Sequence, residues 1–170
     1  MKRITGVEVL LDGKPVGELA ASRQGIYFAY YSQWVAHGFN LSPLNMEFTT
    51  QPQKAADTIL FTGLHGAFAD SLPDGWGMLL MDRYFLAEHG RDRRDISPLD
   101  RLAYMADRGM GALEYRPVIE RASDEAPIDI AELFQASQAV YEGETASTLD
   151  SLRLAGGSPG GARPKVVVAL

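Results

Sequence analysis

Apolar and polar residues alternate from the start of the chain, and the alternation predicts a β-hairpin over residues 4–20. Val7-Glu8-Val9 sends its valines to one face, Asp12-Gly13 supplies the turn, and Val16-Gly17-Glu18-Leu19 returns. Asp-Gly suits the tightest hairpin turns because these need positive φ, which glycine reaches without a Cβ clash. A further aromatic strand follows in Ile26-Tyr27-Phe28-Ala29-Tyr30-Tyr31 and ends at Trp34-Val35, before a loop around Gly38 and Pro43. Met46-Glu47-Phe48-Thr49 predicts one more short strand. Aromatics at alternate positions are most simply sheet core and sheet face rather than a ligand cage.

The period changes after Gly66. Asp70-Ser71 can cap a helix whose early turns hold Pro73 and Asp74, with Trp76, Leu79, Leu80, Arg83, Tyr84 and Ala87 at helical spacing and Gly90 closing it. Gly75 and Gly77 weaken the first turn, so its regular part is expected to begin at Trp76. Ser97-Pro98-Leu99-Asp100 starts a second helix with a cap, a first-turn proline and an acid three residues on. Asp107-Arg108-Gly109-Met110-Gly111 breaks that helix, and Ala112-Leu113-Glu114-Tyr115 predicts a return strand before Pro117. Residues 118–127 read as an exposed connection. Ile130, Leu133, Phe134, Val140 and Tyr141 then trace a helix face ending at Gly143, and Leu149, Leu152 and Leu154 make a short helix ahead of a glycine-rich stretch. The class expected from these elements is α+β.

Composition narrows the function classes. A chain of 170 residues fits one domain, or one domain plus the start of another, and 46% apolar content builds a core. The net charge of −6 argues against a nucleic-acid surface, and the arginines of Arg91-Asp92-Arg93-Arg94-Asp95 are interleaved with acids as in a solvated loop. The absence of cysteine removes disulfides, thiolate catalysis and zinc-thiolate sites. No apolar run approaches the ~18–20 residues of a bilayer span, and Met1-Lys2-Arg3-Ile4 has no apolar region behind it, so no signal peptide and no membrane association are expected. The expected location is the cytoplasm.

The sharpest candidate for chemistry is Gly156-Gly157-Ser158-Pro159-Gly160-Gly161-Ala162-Arg163-Pro164-Lys165. Its glycines would expose several N–H groups and permit unusual dihedrals, which suits anion binding. It lacks the Gly-Lys-Ser/Thr of a P-loop, and it precedes the apolar run Val166–Leu170 rather than opening a helix as a Rossmann fingerprint does. A loop between two strands is similar to the lid over ATP in protein kinases. A Gly/Ser/Pro connector is the competing meaning. The expectation drawn from this arrangement is the front part of a nucleotide-handling protein. Elsewhere, His37, His65 and His89 lack metal-ligand spacing, and Asp70, Asp74, Asp100 and Asp107 are explained by capping and turn roles. No catalytic centre and no metal site are expected from the residues.

Several segments in order resemble the N-terminal part of HipA-family serine/threonine kinases, the toxin halves of toxin–antitoxin pairs. They are Leu11-Asp12-Gly13-Lys14-Pro15-Val16-Gly17-Glu18-Leu19, Leu41-Ser42-Pro43, Phe68-Ala69-Asp70-Ser71-Leu72-Pro73-Asp74-Gly75-Trp76-Gly77, Asp107 to Leu113, and Ser158 to Lys165. The resemblance implies a small mixed N-terminal subdomain over residues 1–118 and the start of a kinase N-lobe over 119–170. It also implies a loop over the ATP phosphates formed by Gly157, Ser158, Gly160, Gly161, Ala162 and Lys165. Ser158 matches the family's autophosphorylated loop serine, where a phosphate would repel ATP and switch the enzyme off. ATP and magnesium would be the cofactors of the full-length protein, with none bound tightly by this segment. The implied substrate is a translation factor such as an aminoacyl-tRNA synthetase. The implied partners are a HipB-like helix-turn-helix antitoxin and the remainder of the kinase, with no direct contact to nucleic acid. The family's ATP-pairing lysine and its catalytic and magnesium-binding aspartates would fall beyond residue 170, so the segment is expected to be inactive alone. The alternative is a stand-alone module that binds and regulates a separate kinase chain.

Overall fold

The computed structural model of the chain describes residues 4–55 and 61–116. These fall into two compact units, one of residues 4–72 with 97–116 and one of residues 73–96.

The first unit is built on an antiparallel hairpin, β1 (Gly6–Leu11) and β2 (Lys14–Ser22). The predicted turn is present: Asp12 and Gly13 carry φ of 49° and 71°, and Leu11 pairs with Lys14 across it. The register shifts between Val9, opposite Gly17, and Leu10, opposite Pro15, which leaves Val16 as a bulge. A bulge beside Pro15 is where a central strand tolerates a residue with no N–H to give the ladder. Strand β3 (Gly25–Tyr30) pairs with β2, and β5 (Leu113–Arg116) pairs with β1 as the predicted return strand. With the two-residue β4 (Gln53–Lys54), the sheet order is β4-β3-β2-β1-β5.

Alternation puts Val7, Val9, Leu19, Ile26, Phe28 and Tyr30 on the buried face. Phe68 from helix α2 (Gly66–Ala69) and Leu99, Leu102 and Ala103 from helix α4 (Pro98–Met105) complete this core. Phe28 is its hub, with ring centroids 4.6 Å from Phe68 and 4.7 Å from Tyr30. The capping box expected at Ser97 is formed. The Asp100 carboxylate accepts the Ser97 N–H at 2.9 Å and its hydroxyl at 2.8 Å, while the Asp100 N–H donates back to Ser97 Oγ at 3.1 Å. Asp100 is wholly buried and its Oδ1 also accepts the Ile4 N–H at 3.1 Å, so one carboxylate fastens both the helix start and the entry to β1.

Three expectations are corrected. Trp34 and Val35 do not end a strand but lie in a short helix, α1 (Ser32–His37). Pro15 and the Val16 bulge leave β3 no regular neighbour past Tyr30, and the chain closes Val35 N–H to Tyr31 O instead. Residues 46–49 form no strand, because the Gln53 side chain takes both backbone groups of Glu47. Gln53 Oε1 accepts the Glu47 N–H and Gln53 Nε2 donates to the Glu47 carbonyl, each at 2.9 Å. The helix expected from Asp70-Ser71 is split: Asp70 ends α2, and Asp74 caps a separate helix. Pro73 disfavours helical backbone at Leu72, which separates the two.

That separate helix, α3 (Gly75–His89), forms the described part of the second unit. Gly90 ends it in the left-handed conformation with φ 60°, as expected of a closing glycine. Tyr84, Phe85 and His89 cluster on it, and the Arg91 guanidinium lies 5.7 Å from the Phe85 ring centre.

Candidate functional site

The residues expected to cradle ATP phosphates (Gly157, Ser158, Gly160, Gly161, Ala162 and Lys165) lie outside the described residues, as do the expected helices at 130–143 and 149–154. What the described residues offer is a pocket in the first unit.

Its walls are the hairpin turn and α1. The volume is about 440 Å³. Leu11 and Pro15 supply apolar surface, Asp12 and Lys14 flank the turn, and Gln33, Trp34, His37 and Phe39 come from α1 and the residues after it. The aromatic wall is locked by the backbone. The Trp34 indole N–H donates to the Phe39 carbonyl at 2.9 Å, and the two rings meet with centroids 5.6 Å apart. Gly38 is required by space: a Cβ there would stand 2.6 Å from the indole.

The segment that follows is held just as firmly. Tyr30 donates its hydroxyl to Asn40 Oδ1 at 3.0 Å and accepts the Leu41 N–H at 2.9 Å. Asn40 Nδ2 donates to the Met46 carbonyl at 2.7 Å. Burial raises the Tyr30 pKa, opposed by the Leu41 N–H. This loop carries Leu44 at its tip, 95% exposed. The hydroxyl of Tyr31, on the other face of the sheet, reaches Glu8 at 3.4 Å. Its pKa is raised by burial and then by the negative charges of Glu8 and Glu18.

Two buried groups serve the scaffold. Tyr115 on β5 donates to Ser71 Oγ at 2.6 Å, and burial pushes its phenol pKa well up. His65 stands at the start of α2 with its ring against Phe28 and Phe68, and burial lowers its pKa despite the opposing Lys54 carbonyl. All four aspartates serve as caps or turn residues, two of them in other places than expected. Asp70 ends α2 instead of starting a helix and Asp74 caps α3 instead of lying within its first turns, while Asp100 closes the capping box and Asp107 lies in the turn after α4. Trp76, expected as core, is 1% exposed.

Among the described residues no three His, Asp or Glu side chains gather where a metal could sit. Nor is any helix among them long and apolar enough to cross a membrane. The pocket itself was not read from the sequence. Its signal was Trp34 and Phe39 five positions apart with Gly38 just before the second, a spacing that acquires meaning only once α1 is known.

Comparison with known families supplies what geometry alone does not. The chain has no match among curated proteins. The family model described as HipA N-terminal domain matches residues 7–116, from the first strand of the sheet to the end of its last. A match over that much of the chain, on the hairpin, sheet and helices just described, means that the protein belongs to the HipA N-terminal domain family.

Proposed function

We propose that this chain is the N-terminal part of a HipA-like serine/threonine kinase that acts as the toxin of a toxin–antitoxin pair. The observation that carries the reading is the family match over residues 7–116, followed in the sequence by Gly156 to Lys165 and the apolar run Val166–Leu170. In this reading residues 7–116 are a non-catalytic module, and residues from about 119 begin the kinase N-lobe. Gly157, Ser158, Gly160, Gly161, Ala162 and Lys165 line the phosphates of ATP. Magnesium supplies charge neutralisation at the γ-phosphate when bound, and the groups that hold it belong to the rest of the kinase. Ser158 is the self-phosphorylation site, because close to two added negative charges there oppose the ATP phosphates. The target is a translation factor such as an aminoacyl-tRNA synthetase, the partner is a HipB-like helix-turn-helix antitoxin, and the setting is the cytoplasm.

The test is phosphoryl transfer from γ-labelled ATP by a longer chain that includes an intact C-lobe. Label on Ser158, lost in Ser158→Ala, supports the reading. A longer chain that neither hydrolyses ATP nor transfers from it overturns the reading.

A second reading is favoured by the end of the family match at residue 116, well short of the glycine-rich loop. In it the module binds and restrains a separate kinase chain. Co-purification of the two chains, abolished by surface changes within residues 70–77, would support this reading. Retention of kinase control by a chain altered there would sink it.

A further inference from the structure

The pocket beside the hairpin turn plays no part in the kinase reading, and its walls are in place before any ligand arrives. One wall is the Trp34–Phe39 pair, fixed by the 2.9 Å indole hydrogen bond and by the close fit of Gly38. The hairpin turn is fixed as well, since the Gly13 N–H donates to Glu114 Oε1 at 3.1 Å between Asp12 and Lys14. A site with ordered walls binds more tightly than one that must order a loop first. A volume of about 440 Å³ falls within the range of small-molecule sites.

The chemistry of the rim selects the ligand. Phe39 is 57% exposed, which leaves an aromatic surface open to a flat apolar group. Asp12 and Lys14 put one negative and one positive charge on the same rim. An aromatic acid would meet the carboxylate of Asp12, and an aromatic amine would meet the ammonium of Lys14. A ring that carries both an ammonium and a carboxylate meets each with the opposite sign. We infer that this pocket binds a free aromatic α-amino acid. Its ring lies against Trp34 and Phe39, its ammonium faces Asp12 and its carboxylate faces Lys14.

The experiment is a titration of the ¹⁵N-labelled full chain, followed at the Trp34 indole N–H resonance with that of Trp76 as internal control. The probes are L-tryptophan, tryptophan amide, N-acetyltryptophan and N-acetyltryptophanamide. Tryptophan, with roughly fifteen heavy atoms, is expected to saturate at about a millimolar. Each blocked charge weakens binding about two- to five-fold, the worth of an exposed ion pair. Asp12→Asn removes the advantage of the free ammonium alone, and Lys14→Met that of the free carboxylate alone. Both side chains are exposed, so these variants keep the fold. Equal binding of all four probes, or no movement of the Trp34 resonance at ten times the expected concentration, overturns the proposal.

Discussion

Two glycines of the first hairpin look alike in sequence yet do different work, and a pair of alanine substitutions separates them. Gly13 has φ 71°, and a Cβ built on it meets nothing within 4 Å. Gly17 has no such φ, but its Cβ would stand 2.3 Å from the Ala29 carbonyl and 2.7 Å from the Phe28 ring. Neither neighbour can yield. Ala29 is locked to β2 opposite Glu18, and the Phe28 ring is wholly buried among Tyr30, His65 and Phe68. Overpacking of this kind costs about 1–3 kcal/mol and sometimes more. Loss of unfolded-chain freedom returns only about 0.4–1 kcal/mol. Gly17→Ala is therefore expected to destabilise by about 2 kcal/mol. At Gly13 the cost is left-handed backbone alone, about 1–2 kcal/mol for an L residue, with the same entropic return. Gly13→Ala should lose about 1 kcal/mol or less, and Gly13→Asn less still, because asparagine tolerates that region. Urea denaturation of the three variants measures the differences at constant slope. If Gly17→Ala proves as stable as Gly13→Ala, β2 and β3 do not approach as closely as described and the reasoning fails.

His65 gives a pH dependence. Its folded pKa lies below the ordinary 6.5, so below that value the unfolded chain binds more protons than the folded one. Stability should be full above about pH 6.5 and fall as the pH drops from there towards the lowered folded pKa, and His65→Phe should flatten this part of a stability–pH profile. Tyr115→Phe strands the Ser71 hydroxyl and should cost about 1–2 kcal/mol. The double variant with Ser71→Ala should cost less than the two single losses added together, a non-additivity that a mutant cycle reads directly. Asp100→Ala removes the capping-box carboxylate and the partner of Ile4 at once. A loss of about 2–4 kcal/mol in thermal unfolding is expected, and a loss under about 1 kcal/mol would show that the network does not hold β1 to α4.

The parts of the fold that were legible are those whose cause is local. Asp12-Gly13 carries its own turn conformation, Val7 and Val9 alternate within four residues, and Ser97 and Asp100 close a capping box among themselves. The parts that were not legible depend on events elsewhere in the chain. The end of β3 is decided by Pro15 and the bulge at Val16, some fifteen residues earlier, and no pattern inside Ile26 to Val35 records it. The strand expected at residues 46–49 fails because a side chain at Gln53 satisfies Glu47 as a neighbouring strand would. Helix α2 is only four residues long, too short to show a period, and it is held by Phe68 in the core rather than by propensity.

The same division governs the candidate sites. The glycine-rich stretch stands out in the sequence because anion binding by backbone N–H groups asks only for local composition, and it lies outside the described residues. The pocket was invisible because its charges and its aromatic wall come from two segments that the fold brings together. Asp12 and Lys14 look like ordinary turn residues until α1 places Trp34 and Phe39 against the same space. The turn in this domain thus carries two constraints, left-handed backbone at Asp12 and Gly13 and, in the proposed site, ligand charge at Asp12 and Lys14. Asp12→Asn and Lys14→Met distinguish them, because asparagine tolerates the left-handed backbone that Asp12 adopts at φ 49° and Lys14 lies in a strand. The hairpin should therefore survive while the pocket's preference for one orientation of a zwitterion should not.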